Sequence, residues 1–435
     1  MAPPGKTGIF NFTTPTFRLP PMSRNLNLGR YDFASYACFT AYATCSLAIP
    51  LSVVAMGKSL AFPLDAGGMG AAGFLHMLRS VAMLIMLTIC GWIAGKWGKR
   101  LTLGYGVLGM GMGILCCAFA QQYWMLMPFL FATGIGEGFI EGIASPFVQD
   151  LHQKDADRYM PIAHSFWSVG IAVAVVLVGG LLAINVNWRI ILAIIGALSC
   201  LSALGFLWRD NPARPYPESG KPVAIKAFAR DSLKIFRSLR FWGYCLAMFV
   251  GAGAEFGLTF WSAPYLELNF NAGPWVASLG TGAIAFGMFI GRALTGYFST
   301  PRRIPYFLIA FSLGTIPITL ALACLSPEVI PCRWLLITII FVLLTLAGVG
   351  VAPYWPSLQV HGVNNLRNLD ATLLYIYFSA LGVPGCGLFT WLLGWLGDRY
   401  GMGRAFLVIP ASLLVYATII FLEHWVFRPK SEELE

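Results

Sequence analysis

The sequence predicts an all-α membrane protein with twelve transmembrane helices in two six-helix bundles. Three observations predict it. Of 435 residues, 57% are hydrophobic and only 11% are charged, against about 25% charged in soluble domains. Lipid must therefore be the solvent for much of the surface. Apolar runs of spanning length recur along the whole chain. Lysine and arginine concentrate in alternate connections between those runs, as a fixed membrane orientation demands.

The runs cover 33–57, 69–95, 101–120, 122–148, 160–184, 190–208, 241–266, 274–298, 304–325, 334–358, 371–396 and 405–422. Most approach or exceed the ~20 residues that a helix needs to cross the hydrocarbon. Strands are excluded, because an open sheet edge is not tolerated in lipid. Residues 1–32 form a polar tail with Pro3, Pro4, Pro15, Pro20, Pro21 and basic residues. It has no cleavable signal pattern, so the first span is expected to serve as the insertion signal.

With twelve spans both termini share a side. That side takes the N-terminal tail, Lys96, Lys99, Arg100, Lys154, Arg158, Arg302, Arg303, Arg367, Arg428, Lys430 and a basic loop. The other side takes Lys58, Arg189, Arg333, Arg399 and Arg404. Both termini are therefore expected in the cytoplasm, with the chain in the cell (inner) membrane. The net charge of +10 follows from this bias, and nucleic acid is not expected as a partner. The basic loop, 209–240, divides the chain into a first bundle (33–208) and a second (241–425), followed by a tail at 426–435. The chain is expected to act as a monomer in the lipid bilayer.

The halves echo each other. Gly134-Ile135-Gly136 with Pro146 in span four matches Gly348-Val349-Gly350 with Pro353 and Pro356 in span ten. Phe166-Trp167-Ser168-Val169-Gly170 in span five is echoed by Tyr377-Phe378-Ser379-Ala380-Leu381-Gly382 in span eleven. Such repeats place a binding site between related bundles near mid-membrane. Ten cysteines contain no CxxC pair, so neither a disulfide framework nor a thiolate metal site is expected. No cofactor is expected. The absence of GxSxG, HExxH and Walker A sequences argues against an enzyme or an ATP-driven pump.

Ionisable residues deep in spans are costly unless they face protein or water. Arg79, Glu137, Glu141, Glu255 and Arg292 lie at such depths, with His76 and His164 beside them. Glu137 and Glu141, four apart, share one helix face. Mutual repulsion and burial both disfavour their charged forms, so they are expected to carry a coupling proton. By helical rise, Glu141 lies about 10 Å and His164 about 6 Å above the same end; the two are expected to meet, with His164 either relaying a proton or satisfying Glu141 as a neutral hydrogen-bond partner. Arg79 either neutralises Glu137 or binds solute. Arg292, nearer the end of span eight, is read as a structural or gating residue. Glu255, with Trp261 two turns on, offers an acceptor for hydroxyls and an apolar plane for a sugar. Trp167, Tyr354 and Trp355 join them as expected cavity aromatics. Asp398 and Arg399 read as a surface ion pair.

Gly91-Trp92-Ile93-Ala94-Gly95-Lys96-Trp97-Gly98-Lys99-Arg100 resembles the Gly-x-x-x-Asp-Arg-x-Gly-Arg-Arg signature of the major facilitator superfamily, with Gly95 in place of the acid. The resemblance implies a gating role for Lys96, Gly98 and Arg100. Narrower stretches are similar to the fucose–galactose–glucose proton symporters. Gly134 to Pro146 includes Glu141 and has Ser145 where that family has Asn. Val250 to Trp261, Gly287 to Arg292 and Ala352 to Pro356 are the others. This resemblance implies secondary transport of a small polar solute, expected to be a sugar, coupled to protons or to sodium. An exporter of drugs or organic ions is the first alternative, and a transporter-like receptor or membrane enzyme the second.

Overall fold

A computed structural model describes residues 28–153, 156–210, 215–218, 225–298, 302–326 and 328–427. Among them are twelve helices long and apolar enough to cross a membrane. These are α1 (Arg30–Ser59), α2 (Met69–Trp97), α3 (Lys99–Cys117), α4 (Tyr123–Leu151), α5 (Ile162–Ala183) and α6 (Trp188–Leu207) in the first half. The second half holds α7 (Leu239–Phe270), α8 (Pro274–Thr295), α9 (Ile304–Cys324), α10 (Arg333–Asn365), α11 (Leu373–Tyr400) and α12 (Met402–Val426). No strand occurs among the described residues. The expectations for the two tails fall mostly, and those for the linker partly, outside the described residues. Within the linker, Ile225–Phe236 is helical, and Ser232 Oγ lies 2.5 Å from Tyr377 Oη on α11.

Each apolar run of the sequence corresponds to one helix, and several helices outrun it. Span α10 continues to Asn365 through a break at 352–355, where Pro356 starts the helix again. Proline suits that first-turn position because its missing N–H has no helical partner there.

An even number of spans puts Leu28 and Phe427 on one side, called here the terminal face. The opposite, distal face carries loops 60–68, 118–122, 184–187 and 271–273 and the described residues 325–326 and 328–332. Two tight turns connect consecutive helices: Gly98 between α2 and α3 on the terminal face, and Gly401 between α11 and α12 on the distal face. Their backbones match, at φ 83°, ψ 151° and φ 84°, ψ 151°. That region favours glycine.

The internal echo has a packing cause. In lipid there is little hydrophobic drive between helices, so close backbone approach at small residues holds bundles together. A side chain on Gly134 would collide with the Arg79 carbonyl on α2, and one on Gly136 with α3 at Met110. In the second half, Gly348 meets the Ile284 carbonyl on α8, and Gly350 meets Thr315 on α9. Helices α4 and α10 are thus each wedged between the second and third helices of their own half.

The halves meet along the distal side. There Gly73 of α2 faces the Thr390 carbonyl of α11, 2.6 Å from where its Cβ would stand. Gly179 of α5 lies against Ser278 of α8. The His76 ring of α2 stacks on Phe256 of α7, with centroids 4.4 Å apart and planes 3° apart. Toward the terminal face the halves diverge, leaving His164 and Ser165 on α5 and Tyr375 on α11 exposed.

Candidate functional site

Two acid–arginine pairs lie within the spans, one in each half. Arg79 and Glu137 are buried at 3% and 1% exposure. Arg79 Nε donates to Glu137 Oε2 at 2.6 Å and Nη2 donates to Oε1 at 2.5 Å, a fork-to-fork geometry that lysine cannot make. Two further donors go to Ser46 of α1, at 2.7 Å to Oγ and 3.2 Å to the carbonyl. Of the two roles expected for Arg79, the structure realises neutralisation of Glu137.

In the second half Arg292 Nη2 donates to Glu255 Oε1 at 3.3 Å. This pair is looser. Glu255 Oε2 and Arg292 Nε have no hydrogen-bond partner among the described residues, and the Arg292 side chain is 38% exposed. The guanidinium stays within electrostatic reach of His164 across the cleft.

Glu141 stands apart. Among the described residues its carboxylate has no cation within ion-pair distance; it accepts from Tyr42 Oη of α1 at 3.3 Å. Tyr42 also takes Trp167 of α5 against its ring, edge-on at 4.6 Å. Glu137 and Glu141 therefore share a face of α4 but differ in kind, one locked to a cation and the other held by a phenol. Cys386 of α11 lies within electrostatic reach of both Glu141 and Glu255.

His164 does reach α4, one turn beyond Glu141: its Nε2 lies 3.0 Å from Ser145 Oγ. Its ring rests at 4.5 Å on Phe39. Trp355 is half-buried beside Gly382 of α11.

Two expected cavity aromatics lie elsewhere. Trp261 is fully buried in the second half, and its indole N–H donates to the Thr390 carbonyl at 2.9 Å. Tyr354 is 1% exposed and packs on Tyr416 with ring centroids 4.5 Å apart. Both side chains fill helix contacts and are sealed from the cleft.

Gly98 and Arg100, for which a gating role is expected, sit at the terminal end of the first half, with Lys96 exposed beside them. Arg100 donates to the carbonyls of Phe206 and Trp208 at the end of α6. Lys99 pairs with Asp150 at 2.7 Å. From the linker, Glu218 accepts the backbone N–H of Lys99 at 3.1 Å and of Arg100 at 3.3 Å. Tyr216, stacked on Phe147 at 4.3 Å, donates to Asp150 at 3.0 Å; burial beside that carboxylate holds its hydroxyl above the ordinary tyrosine range.

A lateral cleft of about 650 Å³ lies between α1, α5 and α6, lined by Phe33, Tyr36, Thr40, Phe166, Leu198 and Ser199 among others. Neither acid–arginine pair nor Glu141 lines it.

This arrangement, two helical halves around a cleft that carries buried charge, has known counterparts. Residues 34–365 match the Major Facilitator Superfamily. The chain belongs to that superfamily. Facilitator relatives are distant in sequence. An uncharacterised MFS-type transporter of Bacillus subtilis (strain 168), YybF, is 22% identical over 333 residues, covering 74% of this chain and 77% of YybF. The D-xylose–proton symporter has the same fold at a TM-score of 0.74 with 13% identity, over 93% of this chain and 98% of the symporter. The E. coli fucose:proton symporter aligns at 0.61 with 18% identity, over 90% and 98%.

Within this facilitator, Tyr42 is the site residue that sequence reasoning missed. It lies in an apolar run with no charged neighbour to mark it, and only the crossing of α1 and α4 brings it to Glu141. Glu218 was missed for a similar reason, as a loop acid whose partners are backbone groups.

Proposed function

We propose that this facilitator is a secondary active transporter that moves a small polar solute by alternating access, driven by protons through Glu141. The observation that carries the reading is the contrast on α4. Glu137 is bound to a cation, while half-buried Glu141 has only Tyr42 as a partner among the described residues. An acid without a fixed cation is the one that can load and unload a proton. His164 and Ser145, a turn away, are the proposed path toward the terminal face. A thermal-shift screen of the purified protein against sugars, sugar acids, amino acids and lipophilic cations tests the solute class, since a ligand of the folded state raises its melting temperature.

The proposed solute is a sugar. Glu255 offers a carboxylate whose buried Oε2 has no partner among the described residues, Arg292 a donor, and Trp167 and Trp355 half-buried rings. Glu255→Ala is expected to weaken binding about ten- to a hundredfold, as loss of a hydrogen bond to a charged group does. Titration of a solute found in the screen measures this, and unchanged affinity would remove Glu255 from the site. A second reading rests on Glu141, Tyr42 and Trp167 together. One uncompensated carboxylate beside two aromatic rings also suits an organic cation, and lipophilic cations outcompeting sugars in the same screen would favour it.

The terminal face is proposed to be cytoplasmic, because the basic linker lies there. Arg230, exposed on the linker helix, supplies the check. In a variant carrying Arg230→Cys, with the exposed Cys324 and Cys332 replaced by serine, a membrane-impermeant maleimide is expected to label only after the cells are opened. Labelling of that cysteine on intact cells would invert the topology.

A further inference from the structure

Asp398 at the end of α11 belongs to the second half, yet its carboxylate is spent on the first. Its Oδ1 accepts the backbone N–H of Met69 at 2.8 Å, and its Oδ2 accepts that of Gly70 at 2.7 Å. These are first-turn donors of α2, which have no partner within their own helix and carry the positive end of its dipole. The expected ion pair with Arg399 does not form between these two described residues; Arg399 turns its guanidinium over the Trp395 ring at 4.0 Å. Small residues make the approach possible. A Cβ at Gly70 would stand 3.0 Å from Asp398 Oδ2, and one at Gly397 would stand 2.7 Å from the Met69 sulfur.

The two turns of matching backbone geometry make the position informative. Three residues before the turn glycine Gly98 stands Gly95, and three residues before Gly401 stands Asp398. The terminal-face turn has no acid at this place, and the distal-face turn has one that crosses between the halves. At the terminal-face turn the backbone N–H groups of Lys99 and Arg100 are met instead by Glu218, which ties the linker to the first half rather than half to half.

We propose that Asp398 is a positioning residue of the transport cycle, a latch that holds the distal gate closed by capping α2 and so sets the resting state open toward the terminal face. This rests on the alternating-access reading. Opening the distal side parts α2 from α11 and breaks both hydrogen bonds at once. Asp398 is exposed already, so its carboxylate exchanges the two N–H groups for water while the first turn of α2 loses its cap, and the latch biases the equilibrium without blocking it.

The test is a distance measurement across the distal face with no solute present. Spin labels go on Cys332, exposed in the second half, and on a cysteine introduced by Phe119→Cys, 67% exposed in the first half. The exposed Cys324 is replaced by serine. The otherwise native chain should show one short distance. Asp398→Ala should add a longer component, shifting the closed-to-open ratio about ten- to a hundredfold, as expected for charge-assisted hydrogen bonds. Asp398→Asn keeps one acceptor and should shift it less, and this variant decides the matter if the alanine variant does not fold. Asp65→Ala, which removes another exposed distal acid, should leave the distribution as it was. An unchanged distribution in both folded Asp398 variants would overturn the latch, as would an equal shift in Asp65→Ala. Since no solute takes part, a chain that shows the shift but transports nothing keeps the latch and sinks the transport reading. A chain that transports without the shift does the reverse.

Discussion

Replacing Glu141 by glutamine is expected to abolish proton-driven accumulation while leaving solute exchange intact. The substitution preserves shape and most hydrogen-bonding capacity, so the Tyr42 contact and the packing of α4 should survive. What it removes is the titrating proton. A carrier locked in the equivalent of its protonated state can still exchange loaded solute for loaded solute. It cannot return empty after releasing a proton, so net uphill transport fails. The measurement is made in proteoliposomes with an imposed proton gradient, comparing accumulation with equilibrium exchange of one ligand identified in the thermal screen. Accumulation at background with exchange near the native rate is the expected pair of results. Native accumulation would remove Glu141 as the coupling acid. Loss of both activities with native binding would make it part of the gate.

The same residue shows how far a sequence can be read. Depth along each helix was legible, because charge in an apolar run is rare and helical rise converts position to height. That is why Arg79, Glu137, Glu141, Glu255 and Arg292 stood out, and why His164 was placed near α4. Azimuth was not legible. In a soluble helix the polar face marks solvent, but here lipid and helix contacts are equally apolar, so the pattern does not say which side of Trp261 or Tyr354 meets a neighbour. Both residues turned into helix contacts, with the Trp261 N–H satisfied by a backbone carbonyl. Asp398 failed for a related reason. A carboxylate at the end of a span beside an arginine looks like a surface pair until α2 of the other half is seen arriving at it. The glycines Gly134, Gly136, Gly348 and Gly350 were legible as an echo between the halves, and the structure shows the close helix contacts behind that echo.

The buried Arg79–Glu137 pair should be the most destabilising place in the first half to cut. Arg79→Met keeps much of the side chain's volume but strands Glu137, at 1% exposure, without its cation. Breaking a buried pair in this way costs about 3 to 5 kcal/mol, because the remaining charge stays desolvated. It also takes away the Arg79 donors from the Ser46 hydroxyl and carbonyl, two further polar groups. Glu137→Gln should cost less, since the amide oxygen can still accept from the guanidinium. The double variant Arg79→Met with Glu137→Leu removes both charges and is expected to recover most of the loss, as apolar replacements of buried pairs often do. Melting of the four proteins in one detergent, followed by the monodisperse fraction on gel filtration, gives the order directly. The expected order is the native protein highest, with the double variant just below it. Glu137→Gln follows, and Arg79→Met is lowest. If Arg79→Met melts with the native protein, the pair is not what holds α2 to α4, and close packing at Gly134 and Gly138 carries that contact alone. If the double variant falls below Arg79→Met, the charges themselves are required for the fold, and the desolvation argument fails at this site.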